Sequence, residues 1–431
     1  MGRPMSAERV LGSSAKKRIL YVDSAPTLGG SVISLLELLK HLDRSRYEPT
    51  VLFYARHANA DDFAALGIDV IVWDVYASSD HRPEWAVRAR GSTVGQWLRR
   101  SRWGASAYHT IGLALLLVRR VWPRARALRH IIEQRKIDLL HTNIRVGHDR
   151  EGIIAAQWAG IPCVCHVRDF EEPGWFDRRL AARASACIYI SQAVRRCHLE
   201  AGVPHKKGRV VYNGVDWAAF GAPQDAREAR RSLAHRCETL RSLGVGDSGP
   251  LVGIVGRLER WKGQHVFLQA MAEVAQRLPK AKGVVVGDPV PYDLPYHDHL
   301  LTLRDQLGLS EQVSFHGFVK DLPRLMAALD VLVLASTSPE PFGRVLIEAM
   351  ASARPVVATD AGAAPEIVQD GVEGFLVPAG DAPALSAALV RLLSDPLLAQ
   401  AMGQRGLETV KRRFGVQQYT EGVQAVYSEL L

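Results

Sequence analysis

Two glutamates stand eight positions apart in "PEPFGRVLIEAM" (residues 339–350), Glu340 before the Phe342-Gly343 pair and Glu348 after it. An ionised carboxylate accepts several hydrogen bonds at once, so the chemistry open to such acids is the recognition of a polyol. The apolar spacing after Gly343 predicts a helix that begins there, with Glu340 on the entering loop and Glu348 inside the helix. Free backbone N–H groups at that start, with the positive end of the helix dipole, suit a phosphate. A second charged group, Arg257 and Lys262 in "GRLERWKG" (256–263), follows the apolar run "LVGIVG". Cations fixed there stabilise a leaving group that gains negative charge as its bond breaks. Taken alone, either pair also reads as solvated surface charge.

In the first half, "DSAPTLGGSVISLLELL" sets Gly29 and Gly30 between a strand and a helix, where backbone turns sharply or approaches a ligand closely. This is neither G-x-G-x-x-G nor a G-x-x-x-x-G-K loop, which argues against a dehydrogenase or a nucleotidase. "CHVRDF" places His166 at the mouth of a strand, with Arg168 and Asp169 just beyond; His141 and Asn143 end "LLHTN" in the same layer. A lone histidine in such a place is either structural or a ligand contact.

These residues need elements to hold them. Short apolar runs alternate with amphipathic stretches from residue 18: strands are expected at 18–23, 49–54, 68–73, 136–143, 161–167, 186–191 and 208–214. A second series is expected at 251–256, 283–287, 312–317, 331–335 and 355–359. Near-continuous apolar strands imply parallel sheets covered on both faces. The expected plan is a tail (1–17), a first Rossmann-like domain (18–215), a polar linker region (216–250) and a second doubly wound domain (251–431) whose last helix returns to the first. The fold class is α/β, two doubly wound domains facing across a cleft, because ligands of such sheets bind outside the strands' carboxyl ends.

The block Glu340, Phe342, Gly343, Glu348, Ala349, Met350, continued by "ARPVVATDAGAAPEIVQDGVEGFLV" (353–377), resembles the family-4 retaining glycosyltransferases of the GT-B fold. The resemblance implies transfer of a sugar from a UDP- or GDP-linked donor to a glycan or lipid-linked acceptor, with retention of configuration and front-face attack. It assigns Glu340 to the transferred sugar's hydroxyls, Glu348 to the ribose hydroxyls, and Arg257 and Lys262 to the donor diphosphate. His166 falls beside the sugar, and Gly29 and Gly30 near the donor phosphates. Phe342, Gly343 and Arg344 are counted with the donor-binding residues. The acids and the two cations are expected to face each other across a cleft. The chain contains no Asp-x-Asp, so a metal-bridged diphosphate is not expected, nor is any cofactor. Ala353, and Ala363 after Gly362, stand where relatives often carry glycine.

The net charge of +9 is local. Residues 82–129 hold eleven arginines against the single acid Glu84, with Trp85, Trp97, Trp103 and Trp122 and the apolar run 111–118. That run is too short to span a bilayer, which takes about 20 residues. It reads either as an interfacial helix meeting anionic head groups or as an ordinary domain helix. Nucleic-acid binding is not expected. Five unpaired cysteines and an N-terminus without an apolar leader suggest the cytoplasm, or the inner face of a membrane; Met1, Gly2 and Ser6 match the loose myristoylation pattern only by chance. The rival readings are a GT-B sugar-nucleotide epimerase and a non-catalytic membrane- or nucleic-acid-binding protein.

Overall fold

The computed structural model describes residues 15–25, 29–55, 60–73, 110–204, 208–221, 236, 238–243 and 249–431. The basic stretch up to Arg102, the first three tryptophans named above, Met1, Gly2, Ser6, Cys237 and much of the polar region after Gly221 lie outside them.

Thirteen parallel strands form two sheets among the described residues. The first contains β1 (Lys17–Asp23), β2 (Tyr47–Phe53), β3 (Asp69–Val72), β4 (Leu139–Thr142), β5 (Cys163–Val167), β6 (Ala186–Tyr189) and β7 (Gly208–Val210). The second contains β8 (Leu251–Val255), β9 (Lys282–Val286), β10 (Val313–His316), β11 (Val331–Leu334), β12 (Val356–Thr359) and β13 (Gly374–Val377). Their orders, β3-β2-β1-β4-β5-β6-β7 and β10-β9-β8-β11-β12-β13, both reverse direction beside the first strand. Each lobe therefore has a switch point, β1/β4 and β8/β11, where loops diverge and leave a crevice. Burial on both faces explains the strand composition: Ile19, Leu20, Tyr21 and Val22 in β1, and all of β11 and β12 but for slight exposure at the ends, are in the core.

The helices that bear on the site are α1 (Gly30–Lys40), α2 (Trp122–Arg135), α3 (Arg150–Ala159), α4 (Gln192–Glu200), α5 (Gln264–Arg277), α6 (Arg344–Ala351), α7 (Ala364–Ile367) and α8 (Val416–Leu430). The chain crosses between lobes twice, side by side. Val215 pairs with Gly415 as an isolated parallel bridge, and α8 then lies on the first lobe, burying Tyr419, Val423, Val426 and Tyr427 against α1 and β1.

The structure refines the expected strands: β7 stops at Val210, four residues short of the expected 208–214, although Val211 N still donates to Tyr189 O. Residues 136–138 leave the expected fourth strand because Lys136 takes a left-handed backbone (φ 51°) that ends α2, and Ile137 N donates to Ile132 O. The edge strand β13 has no counterpart among the expected strands, since "GFLV" is a four-residue apolar run between a glycine turn and Pro378. Among the described residues, Ala353 is the other non-glycine residue with positive φ, 54°. An alanine there carries a strain of about 1 kcal/mol that glycine would relieve. Ala363, by contrast, has φ −93° and tolerates its side chain.

Candidate active site

The loop leaving β11 is shaped by backbone contact. Gly362 has φ +64°, and a Cβ there would lie 2.3 Å from the Glu340 carbonyl oxygen, so only glycine lets the β12 loop press on Glu340. Ala363 N donates to that carbonyl at 2.8 Å. Gly343, at φ +86°, turns the chain into α6.

Held in this way, the Glu340 carboxylate meets Lys262 Nζ with both oxygens, at 3.0 and 2.8 Å, and accepts from Ser336 Oγ at 3.0 Å. Both partners of the ion pair are largely buried. Lys262 comes from the loop after β8, the neighbour of β11 in the sheet, and its Nζ also lies 4.0 Å from the centre of the Trp261 ring. Thr337 N donates to Trp261 O at 2.7 Å and joins the two loops. Glu340 and Lys262 thus touch within one lobe rather than facing each other across the cleft, because adjacent strands bring both loops to the same switch point. Arg257 is on the same β8 loop, half exposed, with Nη2 3.3 Å from Glu259. Glu259 itself is buried and also accepts from Trp261 Nε1 and Tyr292 OH.

Glu348 is buried on α6 and is bound by Arg344 Nη2 at 3.0 Å, one helical turn away. Arg344 extends to the first lobe, where Nη1 donates to Ser34 Oγ at 2.8 Å, and its Cδ lies 3.4 Å from where a Cβ on Gly30 would be. Gly29 is extended (φ −154°) and caps α1. A side chain at Gly30 would sit at the edge of ordinary contact with Arg344, nothing lies near Gly29, and the pair makes no left-handed turn. Phe342 is buried against Tyr212 and Phe414.

The first lobe contributes a fully buried polar group. His166 is flanked by His141 and Arg168, and Arg168 donates to Asn143 Oδ1, Asn213 Oδ1 and Tyr419 OH at 2.8, 2.8 and 2.9 Å. Asn143 donates to Asp23 Oδ2 at 2.6 Å. Burial, reinforced by the Arg168 charge, lowers the pKa of His141 to about 3 and that of His166 well below its usual value. Asp169 points outward and pairs loosely with Arg145 at 3.5 Å. Asp149, between the ends of β1 and β4, accepts from Ser24 Oγ at 2.7 Å, and burial raises its pKa to about 7.

Three residues without a distinctive sequence signal join the lobes at the motif itself. Glu366 of α7 accepts from Gln192 N and Ala193 N at 2.8 and 2.7 Å and from Tyr212 OH at 3.1 Å, so a second-lobe carboxylate caps a first-lobe helix. Ser191 Oγ donates to Pro341 O at 2.8 Å, next to Glu340. The only available clue was Glu366 in "APEIV", where a proline opens a short helix.

Two doubly wound lobes joined by a double crossing, with paired charges at the second lobe's switch point, define the GT-B architecture. The chain belongs to the GT-B glycosyltransferases: residues 28–218 match the family model Glycosyltransferase Family 4, and residues 237–409 match Glycosyl transferases group 1. It is 33% identical over 233 residues to the lipopolysaccharide core biosynthesis mannosyltransferase LpcC of Rhizobium leguminosarum bv. viciae, an alignment covering 53% of this chain and 61% of the relative. It is 32% identical over 237 residues to the GDP-mannose-dependent alpha-(1-6)-phosphatidylinositol monomannoside mannosyltransferase of Mycolicibacterium smegmatis, covering 53% and 58%. The chain thus spans about three fifths of the curated relatives it matches. The crystal structure of Anabaena Alr3699/HepE in complex with UDP superposes with a TM-score of 0.75 at 27% identity, over 96% of this chain and 100% of that one.

The Glu366 cap predicts that Glu366→Ala loosens the lobes. Small-angle scattering should show a larger radius of gyration, and chemical denaturation a loss of about 1–2 kcal/mol, the usual cost of losing a helix cap. An unchanged scattering profile would show that the cap does not hold the cleft.

Proposed function

We propose that the chain transfers a sugar from a nucleoside-diphosphate donor to an acceptor hydroxyl in glycan, lipopolysaccharide or polysaccharide assembly, retaining the anomeric configuration without a metal ion. The observation that carries this reading is the buried Lys262–Glu340–Ser336 contact at the carboxyl ends of β8 and β11, beside the start of α6. Free N–H groups there and the Lys262 and Arg257 cations suit a diphosphate whose charge grows as the glycosidic bond breaks. Glu340, already engaged on both oxygens, is better placed to hold sugar hydroxyls than to attack the anomeric carbon. Front-face attack, with the leaving phosphate accepting the acceptor's proton, needs no carboxylate nucleophile. Glu348 is suited to the ribose. Among the described residues no cluster of His, Cys, Asp and Glu has metal-site geometry. Neither an epimerase nor a nucleic-acid-binding role is favoured by the relatives.

Relatives named for GDP-mannose and a structure solved with UDP leave two donor classes. A thermal-shift screen of UDP- and GDP-sugars identifies the donor as the one that raises the melting temperature. With that donor, Lys262→Met and Glu340→Gln each lower transfer by about 10²–10³-fold, the range for loss of one preorganised charge or donor. Melting curves accompany both, because removing one partner leaves the other charge buried and unpaired. Wild-type turnover in either variant would remove the assignment.

The acceptor is proposed to be reached at an anionic membrane surface. Ile111, Leu115, Val118 and Trp122 are exposed in a stripe along the helical run leading into α2, with Arg119, Arg120 and Arg126 exposed on the same run. No single helix among the described residues is long and apolar enough to cross a membrane. Flotation with anionic vesicles should carry the protein up at low salt and lose it at high salt or with neutral vesicles. Equal flotation with both lipids, or none, would contradict membrane docking.

A further inference from the structure

His166, at the end of β5, has one ring nitrogen with two neighbours and one with none. Nε2 is buried and meets no hydrogen-bond partner among the described residues. Nδ1 lies 3.3 Å from Arg168 Nη2 and 3.2 Å from His141 Nε2. A guanidinium has only donors, so Nδ1 must accept and carries no proton. The proton of the neutral ring is therefore on Nε2. His141 is then committed as well: it donates from Nε2, and its Nδ1 accepts from Tyr427 OH, 2.6 Å away. Tyr427 OH also lies 3.2 Å from Tyr21 OH.

Every member is fully buried, and burial favours the neutral forms this chain requires. It raises the pKa of both phenols well above the usual range and lowers that of both histidines. The chain runs from α8 to β4 and β5, so the helix that returns from the second lobe supports the histidine of the first. Arg168 is held in turn by Asn143, Asn213 and Tyr419. The result is a buried Nε2–H donor without an acceptor among the described residues, an arrangement that is costly unless an incoming oxygen takes the hydrogen.

We propose that Arg168 is the positioning residue that fixes His166 as an Nε2–H donor, giving the chain Tyr427–His141–His166 a single direction that ends on a hydrogen offered to an oxygen of the ligand. That this oxygen belongs to the donor sugar rests on the transfer reading; the tautomer does not. Without Arg168 the chain can reverse, with His166 Nδ1–H donating to His141 and His141 Nδ1–H to Tyr427. Without Tyr427 it cannot, because Arg168 still faces Nδ1.

The test is two-bond nitrogen–proton correlation on unliganded protein labelled with heavy nitrogen in histidine, near neutral pH, with His166 assigned from the His166→Gln spectrum. Wild type should show His166 protonated on Nε2 alone. Arg168→Met should show both tautomers, and Tyr427→Phe should keep the wild-type form. In the transfer assay Arg168→Met should lower kcat/KM about tenfold, the order of one hydrogen bond, and Arg168→Lys, which keeps a donor, should restore part of it. A wild-type His166 protonated on Nδ1 or on both nitrogens, or an Arg168→Met spectrum identical to wild type, overturns the proposal. If Arg168→Met does not fold, the wild-type and Tyr427→Phe spectra decide. Correct tautomers in a protein that turns over no donor would sink the transfer reading and leave this one standing.

Discussion

The contact between Lys262 and Glu340 is the interaction on which the site depends. Two charges taken out of water lose hydration that their mutual attraction repays only with good geometry and further hydrogen bonds. Here the geometry is supplied by backbone. Gly362 lets one loop press on the Glu340 main chain, Thr337 ties that loop to Trp261, and Ser336 donates a third hydrogen bond to the carboxylate. An apolar pair of similar volume would stabilise the lobe at least as well. On the transfer reading, the buried acid and base at the switch point instead provide a cation for a phosphate and an acceptor for hydroxyls, at the cost of stability.

The cleft is tied together by residues adjacent to those proposed to bind the donor. Ser191 reaches Pro341, one residue from Glu340, and Arg344 joins Glu348 to Ser34. Glu366 lies on the helix that follows Gly362. A relative movement of the lobes must therefore disturb the motif loop, so occupation of the second lobe and closure on the first are mechanically linked. The returning helix α8 makes a second link, since Tyr419 and Tyr427 bond to Arg168 and His141 in the interior of the first sheet.

Much of this was legible in the residues themselves. The β-branched runs mark their strands because both sheets are covered on both faces, and Gly343 marks the start of α6 because its left-handed backbone excludes a side chain there. Glu340 on a loop and Glu348 in a helix follow from that start. The Lys262–Glu340 contact was not legible, because it depends on β8 and β11 being neighbours although β9, β10 and three α-helices lie between them in the chain. Nor were Tyr419 and Tyr427, which on an amphipathic helix look like ordinary core residues; only the fold shows that their hydroxyls reach buried histidine and arginine. The same applies to Glu366, whose partners are backbone N–H groups 174 and 173 residues earlier. Long-range polar contacts leave no period in a sequence.

The most direct measurement is a crystal structure with the nucleotide-sugar that the protein binds. The account predicts Lys262 Nζ at hydrogen-bond distance from a diphosphate oxygen and Glu340 at hydrogen-bond distance from a sugar hydroxyl, between the two switch points. A donor bound elsewhere, with Lys262 and Glu340 still closed on each other, would contradict it.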